Sequence, residues 1–193
     1  VGLGTLEWPK TTKWLHICLA VFMTFELMSE LDMKAIWKRK GELHFRHLLF
    51  HAHMWVGMAT AVVIALFWIQ IYYNEQVRAH LFPYRGTYLQ NICADITGMV
   101  KGYLPASGLR GGLPGLVQGL GLLVVTGMAL TGFTMFFLIP NFGASAPIHI
   151  YQIPKKIHDY LSEFVWVYWW VHLSAALLHF FRSPRIPKIF KVW

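Results

Sequence analysis

Two stretches of this chain, Met54 to Ile71 and Leu113 to Ile139, contain no Asp, Glu, Lys or Arg. A hydrocarbon core about 30 Å thick is crossed by about twenty apolar residues in a helix, because only a helix satisfies its own backbone polar groups there. Two further runs are long enough but less clean. Trp14 to Leu31 carries Glu26 and Glu30 near its end, and His158 to Phe181 carries Asp159 and Glu163 in its first turns. Acidic side chains there would suit the positive end of a helix dipole. The expectation is a single all-α membrane domain over residues 1–193, with spans at about 14–31, 48–73, 113–139 and 158–181. Composition agrees: 13% of the residues are charged, against about 25% in soluble domains.

The connections differ in character. Met33 to Arg46 is short and basic, and Asn141 to Lys156 is polar and contains Pro147 and Pro154. Asn74 to Gly112 is long, and its segment Gly86 to Tyr103 is expected to form a short helix of its own. The net charge of +8 resides between and after the apolar runs, which reads as juxtamembrane charge facing anionic headgroups and gives no reason to expect nucleic acid. With four spans, both termini share a side carrying ten Lys and Arg, against seven on the other side. Positive charge favours the cytoplasm, so both termini are expected there, by a narrow margin. Cys18 and Cys93 are the only cysteines, too few for an iron–sulfur cluster, and no Cys-x-x-Cys-His occurs for covalent haem attachment.

The chemistry resides in histidines. His158 and His172 lie fourteen residues apart in the last apolar run. At about 100° per residue they return to within roughly 40° of one direction, and at about 1.5 Å per residue they stand roughly 21 Å apart along the helix. One face therefore offers a nitrogen toward each side of a membrane. His16 lies near the start of the first run, at the same end as His172, and His53 lies near the start of the second, at the same end as His158. The pairs His16 with His172 and His53 with His158 would each supply the two axial ligands of an electron-transferring haem. In the second run His51 stands two residues from His53 on the opposite face, and spacing alone does not choose between them.

Other features have plainer readings. His44, His47 and His51 share a face and could hold a divalent metal, although a wet interfacial stripe is the simpler account. Gly119, Gly121, Gly127 and Gly132 permit close approach of a macrocycle or, by default, of a packed helix. Glu26 and Glu30 lie close enough to a span's end to be solvated, with a proton relay as the sharper alternative.

In order along the chain stand Lys13-Trp14-Leu15-His16, His53-Met54-Trp55-Val56-Gly57, Leu130-Thr131-Gly132, and His158 followed by His172-Leu173-Ser174-Ala175. In these motifs the sequence resembles the prokaryotic cytochrome b561 family, which includes the b-type cytochromes of nickel–iron hydrogenases. The resemblance covers residues from about 10 to 182. It implies a transmembrane four-helix bundle holding two b haems, and it selects His53 over His51. It also implies electron exchange with the quinone pool of a prokaryotic cell membrane, either by a cytochrome acting alone, for example as a superoxide oxidase, or by a haem-bearing anchor within a larger redox complex. The long connection 74–112 departs from the family, as do Phe67 and Trp68 where the family has a basic residue. A haem-free scaffold or transporter and a zinc-dependent membrane enzyme using His47 and His51 are the competing classes.

Overall fold

The computed structural model describes residues 8–37, 44–105, 108–143 and 145–182. Lys38, Arg39 and Lys40 of the basic first connection, and the basic residues Arg185, Lys188 and Lys191, lie outside them. Among the described residues the regular structure is helical: α1 (Lys10–Glu30), α2 (His44–Tyr73), α3 (Glu75–Leu81), α4 (Thr87–Val100), α5 (Leu113–Leu138) and α6 (Gln152–Arg182), with short 3-10 turns before α6. Three helical stretches are long and apolar enough to cross a membrane: His44–Tyr73, Leu113–Leu138 and His149–Phe181. α1 is 21 residues long but carries Lys10, Lys13, Glu26 and Glu30 and is not among those three.

Local chemistry explains the boundaries. α6 starts six residues earlier than His158, because Pro154 falls in its first turn, where a missing N–H costs nothing. Asp159 therefore does not serve the helix N-terminus. It pairs instead with Lys155, one turn back. α5 also carries a proline, Pro114, in its first turn and ends where Pro140 interrupts the ladder. Asn141 and Phe142 then adopt left-handed conformations (φ 47° and 52°), and the Phe142 ring stacks on Trp55 at 5.8 Å. The long connection is more ordered than a loop. Asn74 caps α3 by accepting from the Val77 N–H at 3.0 Å, and Arg78 donates to the Tyr72 carbonyl at 2.9 Å, one of the last acceptors of α2. α4 fills the segment where a helix is expected, while α3 has no counterpart in the sequence reading.

The chain divides into two compact units, each assembled from parts of the same long helices. The first comprises the chain through Leu15, Leu66–Leu123 and α6 from Tyr168. Here α3 lies directly on α5, and a Cβ at Gly115 or Gly119 would collide with the carbonyl oxygens of His80 and Leu81. The α5 glycines thus serve helix packing. Asp95 of α4, buried, is ion-paired with Arg110 and accepts the Leu113 N–H at 3.0 Å, at the start of α5. Asn91 donates to the carbonyls of Arg110 (3.2 Å) and Gly111 (3.1 Å), completing the clamp. The second unit comprises His16–Ala65 and Val124–Val167. Its core gathers Phe50, Met54, Ile139 and Tyr151, with Trp37 packed edge-on against Phe50 and Tyr151.

Candidate functional site

The second unit encloses a cavity of about 520 Å³. α2 contributes His53 and Gly57, α5 contributes Met128 and Gly132, and α6 contributes His158. Two of the four histidines singled out by spacing therefore meet at one cavity, and His51 is not among its lining residues. Gly132 lies so close to His158 that a Cβ there would stand 3.3 Å from the imidazole Cε1, so a larger residue would press on the ring.

Hydrogen bonding fixes what each ring presents. The Nδ1 of His53 lies 2.8 Å from Glu26 Oε2 and 2.9 Å from Ser29 Oγ. Ser29 spends its own hydroxyl proton on the Glu26 carbonyl at 2.9 Å, so both oxygens facing the ring are acceptors. With these oxygens as acceptors, His53 donates from Nδ1, and in the neutral ring that leaves the lone pair on Nε2. The same accounting holds for His158. Its Nδ1 lies 2.9 Å from Thr131 Oγ1, whose proton goes to the carbonyls of Gly127 (2.9 Å) and Met128 (3.0 Å). In both rings Nδ1 is the nitrogen engaged by these oxygens, and Nε2 has no part in these bonds. An orienting donor bond from one ring nitrogen is the usual companion of metal ligation by the other.

Glu26 is not solvated as expected. Its side chain is 12% exposed, and its second carboxylate oxygen is buried without a hydrogen-bond partner among the described residues. A carboxylate in an apolar helix is costly enough to require a partner, which is the signal available in the sequence. The identity of that partner, on another helix, is not readable from α1. Ser29 carried no signal of its own, since it reads as an ordinary small polar residue that bonds back to its own helix, and Thr131 was marked only by the Leu130-Thr131-Gly132 motif, which does not name its partner.

The other two singled-out histidines belong to different units. His16, half-buried on α1, falls in the second, and His172, half-buried on α6, falls in the first. His172 stacks on Tyr168, with centroids 5.4 Å apart and planes 19° from parallel. A Cβ at Gly121 would collide with that Tyr168 ring, so here too a glycine makes room for a neighbouring side chain. Among the described residues no group of three or more His, Cys, Asp or Glu could hold a metal ion, the stripe His44, His47 and His51 included. His80, in the connection, is 3% exposed and has both nitrogens engaged: Nδ1 accepts the Gly111 N–H at 3.3 Å and Nε2 donates to Gln118 Oε1 at 3.3 Å. Burial holds its pKa down at about 4, the Arg110 charge acting in the same direction and the Gln118 bond in the opposite one.

No curated protein and no solved structure matches the chain. The family model described as prokaryotic cytochrome b561 matches residues 7–191. With apolar helices long enough to cross a bilayer and a match over nearly its whole length, the chain belongs to the prokaryotic cytochrome b561 family: it is an integral membrane, b-type haem electron-transfer protein.

Proposed function

We propose that the chain is a dihaem cytochrome b, a transmembrane four-helix bundle of α1, α2, α5 and α6 that passes electrons between a donor or partner protein and the quinone pool. His53 and His158 would hold one haem, and His16 and His172 the other. Both termini face the cytoplasm of a prokaryotic cell. The observation that carries this reading is the matched bonding of His53 and His158. Each has Nδ1 committed to a protein acceptor, and each lines the same apolar cavity. The residues present fit a haem: two imidazoles at one cavity, a glycine beside one of them, and Lys34, a lining cation suited to propionate carboxylates. For His16 and His172 the support is their order along antiparallel spans and the family's motifs.

A bis-histidine haem supplies reversible one-electron chemistry without an open coordination position. The protein's task is to hold and tune. Glu26 and Ser29 orient the His53 ring and, by accepting its Nδ1 proton in a hydrogen bond, make Nε2 a stronger donor. Thr131 does the same for His158 with a neutral acceptor, a weaker effect. Apolar neighbours such as Met54 and Met128 keep water from the pair. The test is a reduced-minus-oxidised absorption spectrum of the purified chain with haem counted per polypeptide. About two b haems per chain is the expected result. A folded chain without haem would overturn the reading. Turnover of the isolated chain with a small donor and a quinone separates a cytochrome that acts alone from one that requires a larger complex.

A further inference from the structure

α4 turns an apolar ridge outward. Leu89, Cys93, Ile96 and Val100 follow spacings of four, three and four, so they share one helix face, and each is exposed, Val100 to 85%. Asp95, buried, lies about 130° round the helix from the ridge, and Ile92, also buried, lies between the two. Asp95 is the only charged residue in the helix, and it is turned inward to Arg110. The outward surface therefore carries no charge, while Arg85 and Lys101 stand immediately before and after the helix. Tyr84 (67% exposed) and Tyr103 (71%) flank it in the same way.

Where this ridge sits follows from what the buried face grips. Asp95 bonds the Leu113 N–H at the first residue of α5, and Asn91 bonds the two carbonyls just before it. α5 has 26 residues, about 39 Å at 1.5 Å per residue, so it exceeds a hydrocarbon core of about 30 Å by roughly 4 Å at each end. Centred on that core, α5 would have its first turn at headgroup depth. A helix about 10 Å across that is bonded to that turn shares that depth. On the other side the connection leaves α2 at Tyr73 and enters α3 at Glu75, which ties it to a second membrane-crossing helix.

We infer that α4 is an in-plane interfacial helix whose Leu89–Cys93–Ile96–Val100 ridge is covered by the acyl and glycerol region of the bilayer, with Arg85 and Lys101 on anionic headgroups. A long connection in this chain is thereby a lipid-seated collar around the start of α5. An uncharged apolar ridge flanked by cations and tyrosines at the polar boundary is the pattern that partitions there. The inference is independent of the haem ligands, since none of its residues lines the cavity.

Cys93 lies on the ridge and supplies the probe. The full chain with Cys18→Ser is labelled at Cys93 with a nitroxide and reconstituted into vesicles of phosphatidylethanolamine and phosphatidylglycerol. Collision with oxygen, which concentrates in lipid, is compared with collision with a water-soluble nickel chelate. A several-fold excess for oxygen is expected, together with reduced excess in vesicles of the same protein carrying Arg85→Gln and Lys101→Gln. A probe that collides freely with the nickel chelate overturns the proposal and leaves the ridge as a surface for a protein partner. A second chain, Cys18→Ser, Cys93→Ser and Ile96→Cys, repeats the measurement one turn on, so that a local effect of the label at Cys93 does not decide it. Equal accessibility to the two reagents at both positions also counts against the inference.

Discussion

The two units use the same buried imidazole to opposite ends. In the first, His80 has both ring nitrogens consumed by protein groups, Gly111 N–H on one and Gln118 Oε1 on the other. In the second, His53 and His158 each have Nδ1 bound to an acceptor and Nε2 left out of those bonds, beside a cavity. A fully satisfied histidine is a rivet, and the half-satisfied pair facing one space is the ligand set of the proposed haem site. The polar carboxylates divide in the same way. Asp95 closes a structural clamp with Arg110 and the start of α5, whereas Glu26 leans on a ring that faces the cavity. Burial and residue type do not separate the two cases. The count of committed nitrogens does.

That contrast breaks most readily by removing the ligands. His158→Ala and His53→Ala are each expected to lower the haem content from two per chain to one while the chain still folds. Haem counted by its pyridine complex reads this directly, and two haems retained in either variant would refute the assignment of that residue. Loss of haem on His80→Gln would erase the distinction between rivet and ligand, and none is expected.

Next in size is the clamp. Asp95→Ala removes the carboxylate that pairs with Arg110 and accepts the Leu113 N–H. Breaking a largely buried ion pair in this way costs about 3–5 kcal/mol. Thermal unfolding should shift down while the haem spectrum of the variant at low temperature is unchanged. A spectrum altered as much as the stability would mean that the units do not divide their tasks.

The pH response of His80 follows. Its folded pKa is held down at about 4 from 6.5, chiefly by burial, so the unfolded chain binds the proton more readily. The stabilisation is therefore complete above pH 6.5 and is lost as the pH falls from 6.5 toward 4. The full effect is about 3 kcal/mol. It is read as a drop in unfolding temperature across that window that His80→Gln flattens. Stability that does not change over the window would show that His80 is protonated and paired in the fold.

The smallest expected effect sharpens the comparison most. Glu26→Gln keeps the shape of the acceptor but removes its charge, and loss of such an outer partner weakens metal-group binding by about 10- to 100-fold. Thr131→Val should do less, because the acceptor it removes is neutral. The measurements are haem dissociation to an apo-haem acceptor and the midpoint potential, which should rise in Glu26→Gln as Nε2 becomes a poorer donor. Equal behaviour of the two variants would mean that the carboxylate has no special part.

Much of the site was legible because membrane helices expose their logic in one dimension. The spacing of His158 and His172 and the ends at which His16 and His53 lie follow from helix pitch and span order alone. Family motifs were needed to prefer His53 to His51, since two residues apart on a helix gives opposite faces but not which face is inward. The cavity lining agrees with that preference. Other points were out of reach. α6 begins at Gln152 because a proline that reads as a loop breaker also fits a first turn. α3 hides in the polar connection because its seven residues are too few to show a period.

The sequence by itself determined that this chain is helical, that long parts of it are too apolar for water, and which imidazoles share a helix face, because these are properties of single helices. Only the tertiary structure decided which of those imidazoles keeps a nitrogen for a ligand. Glu26, Ser29 and Thr131 reach His53 and His158 across helix–helix contacts, and Gly111 and Gln118 reach His80 in the same way. A hydrogen bond between side chains 24 to 38 residues apart depends on how helices are packed, and no local pattern encodes that.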